Sequence, residues 1–354
     1  MRKLEAIEGS RGFAAVMIAL YHMPELNDLF FIKFSYLFVD FFFVLSGFLI
    51  ATIYIDELSS KKLIIDFFVK RLARLWPMMI FAWILYLAVL NIIGFIDNKN
   101  FILVHPTLFE IASQISMFYG LGLGDGNIYN FPSWSISVEF LVYIIFGFVL
   151  LFFKDKYKYF IFFVLMSVSY IFMLYVDGIQ NECGFIKYGK CMDRVASIGG
   201  LVRCLIGFFL GCTITLIKTK YKINAKISIN KMTIMSCGSV FFLLSLMELN
   251  SYLAFLAPLV FSIFVFSISF DVGLIHKFLS SKIMQFLGRI SYSIYLLHLT
   301  ILMILDKIWI YDSISFKIIT YLFILIISSK VTFEYIEKKF KIIMLKNYSK
   351  FFCT

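Results

Sequence analysis

Long runs of apolar residues make up most of this chain, and short polar connections separate them. Each run is close to the ~20 residues that a helix needs to cross the hydrocarbon core of a bilayer. The pattern therefore predicts an all-α integral membrane protein with about ten transmembrane helices. These are predicted at 10–25, 34–55, 75–96, 133–153, 158–176, 196–217, 232–248, 251–270, 287–309 and 315–336. A shorter, mixed segment at 105–120 is predicted to be interfacial or re-entrant and not an eleventh span.

The composition agrees with this class. Of the 354 residues, 61% are hydrophobic and 16% charged, whereas soluble domains have about 45–50% and about 25%. A net charge of +11 would suit a nucleic acid, but most Lys and Arg residues lie in the connections between apolar runs. The positive-inside rule explains that placement. We therefore expect the lipid bilayer as a partner, no nucleic acid, and both termini in the cytoplasm.

The chain is predicted to form one membrane domain, residues 1–340, followed by a short basic cytoplasmic tail, residues 341–354. With both termini inside, a long loop at 177–195 lies outside and contains Cys183 and Cys191. Disulfides persist in that compartment, so a Cys183–Cys191 bond and two free thiols both remain open. No Cys or His spacing indicates a metal site.

Arg11 and His22 are polar residues of the first predicted span. Eleven residues close on three helical turns, so both side chains share one face about 16 Å apart. A histidine can act as a general base near neutral pH. The alternative is an interfacial histidine that ends the helix before Pro24.

The second span contains Asp40 and, two turns deeper, Ser46 and Gly47. Asp40 falls near the predicted depth of His22, where a hydrogen bond to the imidazole would fix its tautomer. Ser46 and Gly47 are small, which allows either a ligand or another helix to approach closely. We predict a catalytic role for Asp40 and leave donor binding and helix packing open for the other two.

Arg71 and Arg74 lie at the start of the third span, three residues apart and on the same helical face. Paired guanidinium groups suit phosphates. The alternative is a pair of ordinary charges in a cytoplasmic connection. From spacing alone the two interpretations are equally good.

The fourth and ninth spans also carry polar side chains. Ser137 and Glu139 lie early in the fourth, and Glu139 could orient an acceptor hydroxyl or pair with a cation of another span. Tyr295 and His298 lie on one face of the ninth, together with Ser291. We predict that this face, together with Ser137 and Glu139, contacts the acceptor or lines the wall of a ligand cavity. Hydrogen bonding between helices is the alternative.

Taken in order, these pieces resemble the membrane acyltransferase 3 family, bacterial O-acyltransferases that modify cell-surface glycans. The resemblance runs from Arg11 to about Glu337. The matching motifs are Arg11-(x)10-His22, Val39-Asp40-(x)5-Ser46-Gly47-Phe48-Leu49, Arg71-x-x-Arg74, Trp134-Ser135-x-Ser137-Val138-Glu139 and Ser291-Tyr292-x-x-Tyr295-Leu296-x-His298. Where the family often ends its last helix with a Glu-x-Pro-Phe-like segment, this chain has Glu337-Lys338-Lys339-Phe340.

The resemblance implies a ten-helix enzyme of the bacterial cytoplasmic (inner) membrane with no bound cofactor. Its co-substrate would be acyl-CoA, usually acetyl-CoA, taken from the cytoplasm. The acceptor would be a glycan or lipid-linked glycan such as lipopolysaccharide O-antigen, capsule or exopolysaccharide. His22 would be the essential histidine, Arg11 its partner, and Arg71 with Arg74 the donor-binding pair. Some relatives carry a fused extracellular domain, so we expect this chain to act alone or with a separate extracytoplasmic partner.

Two alternatives remain open at this stage. A covalent acyl intermediate on His22 or Ser46 would serve as well as direct transfer. A polytopic transporter or flippase of a glycan precursor would also be basic, apolar and sparsely charged inside. Transporters often show paired repeats with broken helices, and the sequence shows none.

Overall fold

The computed structural model describes residues 4–58, 60–97, 103–123, 128–175, 198–220, 226–309 and 313–352. Within them every regular element is a helix, which confirms the predicted all-α class. The longer helices are α1 Glu5–Tyr21, α2 Phe38–Tyr54, α3 Lys61–Asp97, α4 Trp134–Phe152, α5 Asp155–Tyr175, α6 Ile198–Lys220, α7 Lys226–Leu246, α8 Ala257–Ile268, α9 Lys282–Ile308, α10 Ile314–Thr332 and α11 Lys339–Phe352. Short helices Phe30–Lys33, Leu108–Ile115 and Leu274–Leu279 lie between them.

Eight helical stretches of the described chain are long and apolar enough to cross a membrane. They are Phe30–Tyr54, Lys61–Asp97, Phe131–Phe152, Lys156–Tyr175, Ile198–Lys220, Ile229–Leu246, Lys282–Ile308 and Ile314–Lys350. The first and eighth predicted spans correspond to α1, with 17 residues, and to the shorter apolar stretch Tyr252–Ile268. The chain is therefore a multi-pass membrane protein. The count of ten and the cytoplasmic termini stay predictions.

The segment predicted to be interfacial contains the short helix Leu108–Ile115. A capping box begins it, in which the Thr107 side chain accepts from the Glu110 N–H and the Glu110 carboxylate accepts from the Thr107 N–H. Its eight residues give a length of about 12 Å. Because the hydrocarbon core is ~30 Å thick, this helix does not cross it alone.

Helices α1 and α9 pack with their backbones in contact. A Cβ atom on Gly288 would lie 2.1 Å from the Glu8 carbonyl oxygen, and one on Gly12 would lie 2.6 Å from the Gly288 nitrogen. Small residues permit this approach between membrane helices. Tyr321 of α10 adds hydrogen bonds from its hydroxyl to the carbonyls of Ala19, at 3.3 Å, and His298, at 3.1 Å. This packing brings the end of α1 beside the middle of α9.

Helices α2 and α6 form a second close contact. A Cβ atom on Gly47 would lie 1.8 Å from the Phe208 carbonyl oxygen, so only glycine fits there. Toward the start of both helices, the same interface sets Asp40 of α2 against Arg203 of α6.

The C-terminal helices form one nearly continuous stretch. A π-helix at Phe333–Lys338 joins α10 to α11, and it turns Glu337 inward until that residue is 1% exposed. Such π-helical turns often occur at functional sites. The predicted domain boundary at residue 340 falls inside this stretch and stays a prediction. Cys183 and Cys191 lie outside the described residues.

Candidate active site

One cavity, here called the arginine cavity, has an empty volume of about 850 Å³ counted with its open mouth. Three arginines from α1 and α3 project into it, together with hydroxyl groups and one carboxylate. Its polar lining consists of Arg11, Ser46, Arg71, Arg74, Ser135, Glu139, Tyr143, Ser291, Tyr292 and Tyr295. The cavity therefore brings together most of the residues predicted to bind the donor.

The three arginines have different surroundings. Arg74 forms an ion pair with the buried carboxylate of Glu337, which also accepts a hydrogen bond from the Ser293 hydroxyl at 3.3 Å. The nearest ion-pair partner of Arg11 is Glu8, at 4.0 Å. In the part of the chain that the structure describes, no carboxylate pairs with Arg71, and its buried Nε has no hydrogen-bond partner. Arg71 is thus the cation of this cavity most available to an anion.

The Arg71 guanidinium lies 5.6 Å from the ring centre of Tyr54 and 5.9 Å from that of Phe67. Aromatic faces attract a cation at such distances without neutralising it. They hold the guanidinium in place and leave its charge for a ligand.

A chain of hydrogen bonds crosses the same cavity. The Tyr143 hydroxyl donates to Glu139 Oε1 at 2.6 Å, and the Ser46 Oγ lies 2.8 Å from the Tyr143 hydroxyl oxygen. Because Tyr143 has a single proton and gives it to the carboxylate, Ser46 donates to Tyr143. From the sequence, Glu139 was expected either to orient an acceptor hydroxyl or to pair with a cation. Its carboxylate lines the arginine cavity, as Ser46 does.

The second cavity, here called the histidine cavity, has an empty volume of about 690 Å³. Both predicted site histidines line it, although 276 residues separate them along the chain. The full lining consists of Ile18, Tyr21, His22, Tyr36, Val39, Phe131, Pro132, Trp134, Arg203, Tyr295 and His298. The ring centres of His22 and His298 are 4.9 Å apart, and the two ring planes are inclined by 32°.

Asp40 does not meet His22, and the predicted hydrogen bond between them is wrong. Both carboxylate oxygens are bound by Arg203, whose Nε donates to Oδ1 at 3.2 Å and whose Nη2 donates to Oδ2 at 2.7 Å. Asp40 is 0% and Arg203 1% exposed. A carboxylate buried this deeply needs a cation, and the α2–α6 contact supplies the guanidinium. The Arg203 guanidinium also lies 5.6 Å from the Trp134 ring centre.

Val39 and Tyr295 line both cavities, so they form the wall between them. The Tyr295 hydroxyl is 2.8 Å from the Ser135 Oγ, which ties α9 to α4 at this wall. The ring of Phe42 lies beside Tyr295, with centres 6.2 Å apart. Tyr295 is thus part of the wall between the two cavities.

Two other predicted site residues, Gly47 and Ser137, take part in a helix contact and in a backbone turn. Gly47 lies in the α2–α6 contact. The Ser137 hydroxyl donates to the Met117 carbonyl at 2.6 Å and accepts from the Gly120 N–H at 2.9 Å. It thereby secures a turn in which Met117 adopts a φ of 62°. Among the described residues, neither Gly47 nor Ser137 lines either cavity.

Sequence reasoning did not identify Arg203, Glu337 or Tyr143 as site residues. Arg203 had a signal, since it is a charge inside the apolar run of the sixth span. Glu337 lies among lysines near the C-terminus, and this sequence context does not indicate a buried carboxylate. Within the described chain, no cluster of three or more His, Cys, Asp or Glu side chains is suited to a metal ion.

Comparison with known proteins places this chain in a family. The family model described as an acyltransferase domain, acyltransferase 3, matches residues 4–331. A protein of Staphylococcus aureus strain COL that carries the provisional name O-acetyltransferase is 24% identical over 365 residues, covering 96% of this chain and 58% of the relative. The O-acetyltransferase OatA of S. aureus strain NCTC 8325 is 23% identical over 356 residues, covering 95% of this chain and 57% of OatA. The chain thus spans somewhat more than half the length of these relatives. No solved structure matches it.

Proposed function

This chain belongs to the acyltransferase 3 family, and on that premise we propose that it is a membrane O-acyltransferase of a cell-surface glycan. It moves an acyl group, acetyl in the simplest case, from acyl-CoA to a sugar hydroxyl. The names of its relatives, O-acetyltransferases of S. aureus, support the reaction. The acceptor is a glycan or lipid-linked glycan such as lipopolysaccharide O-antigen, capsule or exopolysaccharide.

The observation that carries the proposal is the arrangement of two cavities with different chemistry on either side of one wall. The arginine cavity offers cations, the histidine cavity offers imidazoles, and Val39 and Tyr295 belong to both. A transferase needs its two substrates to meet with the reacting atoms about 3–3.5 Å apart. We place the thioester of the donor and the hydroxyl of the acceptor at this wall.

On the donor side, the phosphates of coenzyme A are anionic and suit guanidinium groups. Arg71 has no carboxylate partner among the described residues, so it takes the main contact. Arg11 and Arg74 line the same cavity and add to its positive field. The pantetheine arm extends past Ser46 toward Tyr295. This places the nucleotide on the side of the predicted cytoplasmic connections.

On the acceptor side, His22 is the general base. Its imidazole takes the proton of the attacking hydroxyl while the oxygen forms a bond to the thioester carbon. The C–S bond then breaks, and coenzyme A leaves as the thiolate. General-base help of this kind is typically worth ~10²–10⁴-fold in rate. Direct transfer needs no acyl-enzyme on His22 or Ser46.

We place the protein in the bacterial cytoplasmic membrane, with the donor bound from the cytoplasm and the acceptor from outside. Its substrates there are acyl-CoA and the glycan. We also propose a separate extracytoplasmic protein that presents or receives the acceptor.

The proposal is tested with purified protein in lipid nanodiscs, radiolabelled acetyl-CoA and de-O-acetylated surface polysaccharide from a deletion strain. Wild type is expected to form a labelled ester that hydroxylamine releases, and His22→Ala and Arg71→Ala are expected to reduce it. If wild type neither binds coenzyme A nor transfers label, the proposed function is wrong. If the deletion strain also lacks the glycan itself at its surface, the transporter alternative gains support instead.

A further inference from the structure

The imidazole of His298 is held in one tautomer by its own helix. Its Nδ1 lies 2.6 Å from the Tyr295 carbonyl oxygen. A carbonyl oxygen only accepts, so Nδ1 carries the proton. A neutral imidazole has a single N–H, and the other ring nitrogen, Nε2, therefore presents a lone pair.

That lone pair has no partner in the described structure. His298 is 0% exposed, and its Nε2 is buried without a hydrogen bond. Buried polar atoms in folded proteins are nearly always hydrogen-bonded, so an exception calls for an explanation. Since His298 lines the histidine cavity, a bound ligand that donates a hydrogen bond to Nε2 would explain the exception.

The rest of the cavity indicates which ligand fits. Its only charged lining residue among those described is Arg203, and the carboxylate of Asp40 neutralises that guanidinium. Phe131 and Trp134 supply aromatic surface, and His22 lies opposite His298 at 4.9 Å between ring centres. Apolar walls with a few converging polar groups are typical of small-molecule sites. A neutral ring that bears hydroxyl groups matches this lining better than an anion or an acyl chain does.

We propose that His298 is an acceptor-binding residue whose Nε2 accepts a hydrogen bond from a hydroxyl of the sugar. This inference rests on the proposed function and narrows the acceptor to a neutral sugar with two neighbouring hydroxyls. His298 holds one hydroxyl, and His22 takes the proton of the other as it attacks the thioester. His298 itself stays neutral, because a proton on Nε2 would leave a buried cation without a partner.

The tautomer is tested without any substrate. The protein contains four histidines, so nitrogen NMR of 15N-histidine-labelled protein in nanodiscs gives few signals. Replacing His22, His105 and His276 one at a time assigns the remaining signal to His298. We expect a protonated Nδ1 and an unprotonated Nε2. The opposite tautomer, or a doubly protonated ring, would overturn the inference.

Two substitutions distinguish the contribution of the Nε2 lone pair from the contribution of the packing of the ring. His298→Asn keeps an amide nitrogen close to the Nδ1 position and can still donate to the Tyr295 carbonyl, but it has no group at Nε2. His298→Gln places an amide acceptor near Nε2. Tyr321→Phe is the packing control, because it removes a hydrogen bond to the His298 carbonyl and leaves the imidazole unchanged. Tyr321 is not among the described residues that line the cavity.

Steady-state transfer to de-O-acetylated polysaccharide, with acetyl-CoA as donor, decides the role. We expect His298→Asn to raise the KM for the polysaccharide at least tenfold, His298→Gln to recover part of the loss, and coenzyme A binding to stay unchanged. His22→Ala is expected to lower kcat instead. Wild-type kinetics in His298→Asn would overturn this inference alone, whereas absence of transfer by wild type would overturn the proposed function with it.

Discussion

The Arg203 guanidinium donates two hydrogen bonds to the carboxylate of Asp40, and both side chains are buried among the helices. This pair joins α2 to α6 and replaces the Asp40–His22 contact that the sequence suggested. Arg203 lines the histidine cavity, so Asp40 affects that cavity by holding the Arg203 side chain in place. His22 keeps its place there without a carboxylate from Asp40.

The Asp40–Arg203 ion pair leads to a prediction for the stability of single and double variants. Asp40→Asn and Arg203→Met, each alone, should lower the free energy of unfolding by about 3–5 kcal/mol, because each leaves a buried group without its partner. The double variant Asp40→Leu/Arg203→Met should recover much of the loss, since it removes both charges. Thermal unfolding in detergent measures this. If Asp40→Asn keeps the wild-type melting temperature and loses only transfer, Asp40 acts on the chemistry directly.

Substitutions of Arg71 and Arg74 should have different effects on coenzyme A affinity and on melting temperature, although both residues lie on one helix face. Arg71→Ala should weaken coenzyme A binding by roughly 10- to 100-fold, as expected for a charged hydrogen bond worth about 1.5–3 kcal/mol. Its melting temperature should change little, because in the described structure Arg71 has no ion-pair partner. Calorimetric titration with coenzyme A provides the affinity.

Arg74→Ala should instead lower the melting temperature, because it leaves Glu337 buried and unpaired. Adding Glu337→Gln should restore part of that stability. Equal effects of Arg71→Ala and Arg74→Ala on both affinity and melting would contradict the different surroundings described here.

The backbone contact between α1 and α9 should tolerate no side chain. Gly288→Ala would place a Cβ atom 2.1 Å from the Glu8 carbonyl oxygen, so the helices must separate and His22 moves away from His298. We expect poor insertion or loss of transfer. Gly238→Ala is the matched control, because nothing lies within 4 Å of the added atom. In a helix this change should be neutral or stabilise by up to about 1 kcal/mol. Equal behaviour of the two variants would refute the contact.

The Ser46–Tyr143–Glu139 chain should matter for stability. Tyr143→Phe removes the donor to the Glu139 carboxylate, which should cost about 1–3 kcal/mol. Tyr157→Phe, at a tyrosine that is 63% exposed, should change stability by less than about 0.5 kcal/mol. Unfolding of the two variants under identical conditions makes the comparison. A Tyr143→Phe protein as stable as the control would show that the carboxylate does not depend on this hydroxyl.

Much of the architecture could be predicted from the sequence because apolar run length decides which segments form long helices. Polar residues inside those runs, among them Arg11, His22, Tyr295 and His298, line the two cavities. Burying a polar side chain in an apolar segment is unfavourable without a partner or a function. The type and approximate position of these features therefore follow from local sequence.

The pairing of charges could not be predicted, because it depends on which helices touch. His22 was predicted at a depth compatible with Asp40, and no sequence pattern favoured Arg203, 163 residues away, as its partner. The same holds for Arg74, whose partner Glu337 is turned inward by a π-helix that no simple periodicity reveals. Gly47 was compatible with both ligand approach and packing, and only the position of α6 decides for packing.

The most direct test of transfer through His22 is the O-acetyl content of the host's surface polysaccharide, measured by proton NMR. It compares a deletion strain complemented with wild type, with His22→Ala, or with His105→Ala, which changes an exposed histidine. We predict that wild type and His105→Ala restore the O-acetyl signal and that His22→Ala, inserted at normal levels, does not. A wild-type signal from His22→Ala would contradict acyl transfer through this residue.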